Sequence, residues 1–269
     1  MIPRDVRMIA QEVGVSIEEL SAQTITKLKS APQGQRKTAK FKKSVYIVED
    51  LVFKGPYTFD DPRLMNNLRY TYAIELLEAA LQLPEWERGS LIWEYLGRCD
   101  DNQYYLVAPN VGNQKKIPPD LVNTKIEKNV KVVPRGEAVR RVSDIEGTEL
   151  LTNDIESAAL QHLYLRFVLD IGDSGTHNVL ARENYVSSGR LIAGIDLEER
   201  RGDKETKRRL NLLFSKLYKK HSDLYESDIC KIKSLTYSEL DQHTLDRLNA
   251  VGIDLEKLKE NMDLWEILN

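Results

Sequence analysis

The sequence predicts an α+β protein in which a small antiparallel sheet precedes a mainly helical region, and three patterns predict it. β-Branched and aromatic residues cluster in residues 44–54 (SVYIVEDLVFK) and again in residues 91–108, each bounded by turn formers. Apolar residues recur at helical spacing through residues 63–82 and through the strongly apolar run 154–169. The tail, from Leu235 to Leu268, reads as short amphipathic helices with boundaries at Tyr237-Ser238-Glu239 and Gly252-Ile253-Asp254. Three regions follow: a helical and basic extension over 1–43, a sheet-bearing part over 44–110 and a helical part over 111–269.

Length and composition permit this. A chain of 269 residues can bury a substantial core as one large domain or two lobes. The net charge of -3 carries no global nucleic-acid signal, so any electrostatic partner must be read locally. Cys99 and Cys230 lie far apart without metal-ligand spacing, which favours a reducing compartment and argues against zinc. No apolar stretch approaches the roughly 20 residues needed to span a bilayer, and the N-terminus lacks the apolar core of a signal peptide. The expectation is a soluble, intracellular, cytoplasmic protein.

At the N-terminus, Val6, Ile9, Ala10 and Val13 stand at helical spacing, and Ser16 is the expected N-cap of a second short helix running to Leu20. Between residues 27 and 43 come Lys27, Lys29, Arg36, Lys37, Lys40, Lys42 and Lys43 without an acidic residue. Pro32 and Gly34 interrupt the run, which reads as a solvated basic linker, a contact for nucleic acid, or a loop covering phosphates. Leu51-Val52-Phe53-Lys54 is a strand with a lysine at its end, positioned either to reach water or to neutralise nucleotide phosphates.

The helix over 63–82 has Asp60 or Asp61 as its cap, Pro62 in its first turn and Pro84 as its stop. Leu64, Leu68, Ile74, Leu77 and Leu81 form its apolar face, and Glu75 and Glu78 lie one turn apart. Either glutamate is a solvated carboxylate or the partner of Lys54, with Glu75 preferred for that role. A hairpin follows, with strands at 91–96 and 104–108 and a turn at 99–102, before a breaker-rich link over 109–113. Residues 114–147 suggest only a strand at 130–133. Thr152 or Asn153 caps the apolar helix, which runs straight into Asp170-Ile171-Gly172-Asp173.

The densest chemistry lies in residues 170–199. Asp173 and Asn178 flank a Gly-containing turn, and Asp196 closes the apolar run 191–195. Phosphoryl transfer needs a carboxylate to accept a hydroxyl proton, and an amide oxygen with a second carboxylate to hold Mg²⁺ on the phosphates. The spacing D-x-x-x-x-N equals that of a kinase catalytic loop. The bland alternative is a polar turn whose Asp and Asn bond their own backbone. Of the nearby histidines, His162 reads as a helix-face or core residue and His177 as one that orients the loop. Downstream, Arg200, Arg201, Lys204 and Lys207-Arg208-Arg209 form either a solvated helix face or a contact for an anionic acceptor.

Ile171-Gly172-Asp173, Asn178-Val179, Gly189 and Ile195-Asp196 resemble the catalytic and metal-binding loops of phosphoinositide-kinase-like enzymes, I-G-D-R-H-x-x-N-I followed by I-D-F-G. Asp173, Asn178, Leu180, Asp196 and Glu198 are also similar to the pattern of aminoglycoside-phosphotransferase and choline-kinase relatives. The resemblance covers roughly residues 44–199 and implies a two-lobed protein-kinase-like fold with ATP and Mg²⁺ as cofactors. It implies Asp173 as catalytic base, Asn178 and Asp196 as metal ligands, Lys54 as phosphate-binding lysine and Glu75 as its support. Adenine would meet backbone groups between Val107 and Asn110. The implied activity is transfer of the ATP γ-phosphate to a hydroxyl on a protein, lipid headgroup or small molecule.

The chain departs from the pattern at Ser174-Gly175, where the family has Arg-His, and at Glu198, where it has Gly; it also lacks G-x-G-x-x-G. Those departures define a second expectation, a catalytically inactive pseudokinase acting as an interaction module. A third is a nucleic-acid-binding protein using residues 27–43.

Overall fold

The computed structural model describes residues 6–30, 44–48, 51–83, 88–90, 93–99, 103–109, 158, 161–162, 164–172, 179–181, 192–194, 197 and 236–267. The chain forms two compact units, Met1–Arg69 with Leu91–Asn110, and Tyr70–Ser90 with Val111–Asn269.

The first unit is built on a five-stranded sheet. Helix α1 (Val6–Glu12) leads to β1 (Ser16–Glu19), and α2 (Ala22–Ser30) precedes β2 (Ser44–Val48) and β3 (Leu51–Thr58). After α3 (Pro62–Ala80) come β4 (Tyr95–Cys99) and β5 (Gln103–Pro109), and the strand order is β1-β4-β5-β3-β2. The β2–β3, β3–β5 and β4–β5 pairs are antiparallel, but β1 runs parallel to β4, Ser16 opposite Tyr95 and Glu19 opposite Arg98. The sheet is therefore mixed, which corrects the expectation of an antiparallel one.

The fifth strand arises where the sequence predicts a helix capped by Ser16. Residues 16–19 instead cover the outer edge of β4, whose unpaired N–H and C=O groups would otherwise face solvent. Leu20 then docks over Gly97, where an added Cβ would lie 2.6 Å from the leucine Cδ2. The Leu20 N–H completes the seam by donating to the Arg98 carbonyl at 2.9 Å.

Alternation sorts the sheet residues onto two faces. Phe53, Tyr105 and Val107 bury themselves with Leu20 and with Leu28 of α2, and Ile25, Tyr46, Val48, Leu51, Tyr95 and Cys99 pack around them. Tyr46 and Tyr105 meet edge-on, centroids 6.3 Å apart. Each large apolar side chain buried here contributes about 1.5–3 kcal/mol relative to exposure.

Two strand boundaries differ from expectation. β3 does not stop at Lys54; it continues to Thr58 through an irregularity between Lys54 and Tyr57 that accommodates Gly55-Pro56. The first hairpin strand begins at Tyr95 instead of Leu91, because pairing with β5 extends only from Tyr95 opposite Val107 to Cys99 opposite Gln103. Trp93 and Glu94 precede it, though the Glu94 N–H still reaches the Val107 carbonyl at 2.9 Å.

The division between units falls within α3. That helix starts as its sequence dictates: Pro62 occupies the first position, and Asp61 accepts from the Arg63 N–H and guanidinium, each at 3.0 Å. It ends with Gln82 in the left-handed region (φ 53°), the Leu83 N–H reaching back to the Glu78 carbonyl at 3.1 Å.

In the second unit, residues 158, 161–162 and 164–168 are helical. Ala158, Tyr164, Leu165, Phe167 and Val168 are buried, as are Gln161, His162 and Arg166. A two-stranded sheet pairs β6 (Val179–Ala181) with β7 (Ile192–Gly194). A 3₁₀ turn (Tyr237–Glu239) with a Thr236/Glu239 capping box leads to α4 (Gln242–Ala250) and α5 (Leu255–Ile267). Asn261 of α5 donates to the carbonyls of Phe167 (3.4 Å) and Val168 (3.1 Å), satisfying groups that a helix end leaves open. Arg247 of α4 donates to the Tyr72 hydroxyl at 2.7 Å and lies 5.1 Å from that ring's centroid.

Candidate functional site

Lys54 lies in the middle of β3, opposite Val45 on one side and Leu106 on the other. Only 7% of the residue is exposed. That burial rules out a lysine reaching past the strand end into water, and lysine is rarely placed so deep without charged or hydrogen-bonding company.

Lys54 belongs to the first unit, and Glu75 and Glu78 to the second. The two glutamates differ sharply in environment. Glu75 is half-buried, whereas Glu78 is 1% exposed. The Glu78 carboxylate accepts from the Gly89 N–H at 2.5 Å, and its two oxygens accept from the Ser90 N–H at 3.2 and 3.3 Å. Val107 is fully buried in β5 and its carbonyl is engaged by Glu94. Asn110, Asp173, Asn178 and Asp196 lie outside the described residues, as do His177, the 31–43 part of the basic segment and the 198–209 charged run.

The chain on both sides of the Asp173 loop is described. Before it, the helical segment closes with Asp170 at φ 55°, the Ile171 N–H donating to the Arg166 carbonyl at 2.8 Å. A non-glycine residue in that conformation is uncommon, and it ends the helix here. After it, Val179 opens β6 directly opposite Gly194, the last residue of β7. The chain therefore enters β6 from Asn178 and leaves β7 toward Asp196 at the same end of this small sheet.

Gly194 is enclosed on two sides. Its N–H donates to the Gly89 carbonyl at 2.7 Å, and a Cβ at this position would fall 1.9 Å from Nε2 of His162. Burial pushes the His162 imidazole well below its ordinary value, and the nearby Arg166 charge pushes the same way, so the ring is neutral near pH 7. Neither ring nitrogen has a hydrogen-bond partner among the described residues.

Sequence reasoning included Glu78 only as a solvated carboxylate or an alternative lysine partner, and did not single out Gly89 or Gly194. One signal was present: an isolated glycine in an apolar strand often marks close approach by another group. Among the described residues no three His, Cys, Asp or Glu side chains form a metal-binding group. None of the described helices is long and apolar enough to cross a membrane.

Comparison with known protein families, curated proteins and solved structures finds no match to this chain.

Proposed function

We propose that the chain is an atypical, ATP- and Mg²⁺-dependent phosphotransferase of the protein-kinase-like kind. The observation that carries the reading is Lys54, a lysine buried within a sheet strand that directly precedes a glutamate-bearing helix. Supporting it are the order of parts along the chain and the pairing of Val179 with Gly194, which follow Asn178 and precede Asp196 in the sequence.

The donor set fits the two ligands chemically: an ammonium suits phosphate oxygens, and carboxylate and amide oxygens suit a hard divalent cation. Lys54 would bind ATP phosphates, and Asn178 with Asp196 would hold Mg²⁺, which when bound neutralises phosphate charge. Asp173 accepts the proton of the acceptor hydroxyl as its oxygen bonds to the γ-phosphorus and ADP departs. Holding reactants in line and offsetting charge supplies most of the acceleration. The acceptor carries a hydroxyl and belongs to a protein, a lipid headgroup or a small molecule, with the basic 200–209 run favouring an anionic one.

The test begins with thermal melting in ATP and Mg²⁺, which should raise the midpoint; a ligand at 100 times its Kd adds about 2.7 kcal/mol. Turnover is then measured across the three acceptor classes for wild type and Asp173→Asn. The substitution should abolish transfer while sparing ATP binding, and Asp196→Ala should weaken Mg²⁺-dependent nucleotide binding. Undiminished transfer by Asp173→Asn would overturn the assignment. Binding without turnover in wild type would support the interaction-module reading suggested by Ser174-Gly175 and Glu198. Steeply salt-dependent nucleic-acid binding, lost on deleting residues 27–43, would support the third reading instead.

A further inference from the structure

The two outer strands of the five-stranded sheet are defended differently. In the order β1-β4-β5-β3-β2, one edge is β1, whose four residues are all exposed and include Glu18 and Glu19. Charged side chains on a short strand discourage a further strand from pairing there. The other edge is β2, Ser44-Val45-Tyr46-Ile47-Val48, which carries no charge and no proline. Its register against β3 runs without a bulge from Ser44 opposite Gly55 to Val48 opposite Leu51. Among the described residues no strand pairs with its outer side. Ile47 is 43% exposed, and Val45, Tyr46 and Val48 are half-buried. A regular, uncharged strand with a row of unpaired N–H and C=O groups is a template for another strand.

The flanking residues select the strand that fits. In the sequence Lys42-Lys43 stand directly before β2 and Glu49-Asp50 directly after it, so KKSVYIVED runs from positive through uncharged to negative. Set antiparallel to a second copy of itself and centred on Tyr46, this stretch is self-complementary. Val45 of each copy falls opposite Ile47 of the other, on the same face of the sheet, and cross-strand pairs of β-branched residues are favourable. Counted outward from the strand, the same register matches Lys43 with Glu49 and Lys42 with Asp50 at both ends. An in-register parallel pairing would instead match lysine with lysine and acid with acid, which is unfavourable.

We infer that β2 is a homodimerisation edge. Two copies of this chain pair antiparallel through residues 44–48 and join their five-stranded sheets into one, about a two-fold axis at Tyr46. A two-fold contact of this kind closes on itself, because the same patch serves both copies. It stands independently of the kinase reading, since no residue of the candidate nucleotide site takes part. A strand of five residues buries little area on each side, so the dimer dissociates on dilution.

Sedimentation of the full chain from about 1 μM to about 1 mM should show a monomer–dimer equilibrium. Ile47→Lys places a charge on the open edge and should raise the dimer dissociation constant about tenfold or more. Charge reversal then tests the register. Lys42→Glu with Lys43→Glu sets acid against acid, and Glu49→Lys with Asp50→Lys sets lysine against lysine, so each double variant alone should be monomeric. Mixed one to one, the two should form a heterodimer. All four substitutions in one chain should restore self-association. Should Ile47→Lys not fold, the charge-reversed variants, which leave the strand itself unchanged, decide alone. A wild type that stays monomeric throughout the range overturns the inference, as does a dimer that persists in folded Ile47→Lys. Failure of the mixed variants to associate overturns the antiparallel register. Species that grow beyond the dimer with concentration would show β2 meeting β1 of the next copy head to tail, and would overturn the two-fold arrangement.

Discussion

Residues 11–20, QEVGVSIEEL, and residues 249–258, NAVGIDLEKL, share Val, Gly, Glu and Leu at matching positions, and they end in different structures. In both, a helix closes over a glycine in the left-handed region, Gly14 at φ 72° and Gly252 at φ 84°. The closing hydrogen bonds correspond one to one. Val13, Gly14 and Val15 donate to Ile9, Gln11 and Ala10, and Val251, Gly252 and Ile253 donate to Arg247, Asn249 and Leu248. Beyond that point Asp254 accepts the Lys257 N–H at 3.1 Å and starts α5, whereas Ser16 enters β1 and pairs with β4. The Ser16 hydroxyl donates instead to Glu18, at 2.9 Å.

Helix termination is thus local, while the fate of the next segment depends on what it can touch. Asp is a strong N-cap, and Leu255 suits a helix better than the β-branched Ile17 does. Those preferences are small beside the open edge of β4 and the Leu20 seat over Gly97.

Breaking the comparison at its tertiary end should have the largest effect. Gly97→Val places a branched side chain where Leu20 sits and should cost about 1–3 kcal/mol. Amide protection should fall across residues 16–20 in hydrogen exchange, with residues 249–258 untouched. Equal loss in both regions would show that Leu20 docking is not what holds β1.

The shared helix ending should respond alike in both places. Gly14→Ala and Gly252→Ala each force a side chain into the left-handed region, at about 1–2 kcal/mol by denaturant unfolding. Neither position has an atom within 4 Å of the added Cβ, so conformational cost alone is measured. Costs differing several-fold would mean that the two endings are not equivalent.

The caps should separate the regions. Asp254→Ala should lose about 1 kcal/mol, while Ser16→Ala, whose hydroxyl caps no helix, should change unfolding by no more than about 0.5 kcal/mol. A comparable loss at Ser16 would argue for a helical population in residues 16–20.

Acid gives the smallest contrast. The Thr244 N–H, which donates to Asp241 at the start of α4, holds that carboxylate below its ordinary value of 3.8. A depressed carboxylate stabilises the fold above its unfolded value, and that contribution is lost as pH falls through the folded one. Helix α4 should therefore loosen below about pH 3.8, and Asp241→Asn should flatten the response in a pH titration of its amide signals. The 11–20 segment has no titrating cap to lose.

The same contrast explains which parts were legible from residues alone. Asp61-Pro62 opens α3 through neighbours in sequence, and Gly252-Ile253-Asp254 marks a true helix boundary for the same reason. Tyr95 was missed as a strand start because its register is set by Val107, and the parallel partner of β4 is distant in sequence. At the candidate site, Lys54 was legible as a strand lysine, but its burial depends on a continuing strand and on Leu106 beside it. The bonds from Glu78 to Gly89 and Ser90 bridge separated parts of the chain, and no spacing rule reaches that far.

By itself, the sequence determined the α+β character, the helix ends and the order of chemically distinctive residues, because caps, left-handed glycines and apolar periodicity act over a few neighbouring residues. Tertiary structure alone decided that residues 16–19 became a strand, that Lys54 lies buried, and that one peptide at Gly89-Ser90 ties Glu78 to Gly194. Each of those outcomes satisfies a polar group or fills a space whose partner is supplied by a distant segment, so it exists only once the chain has folded.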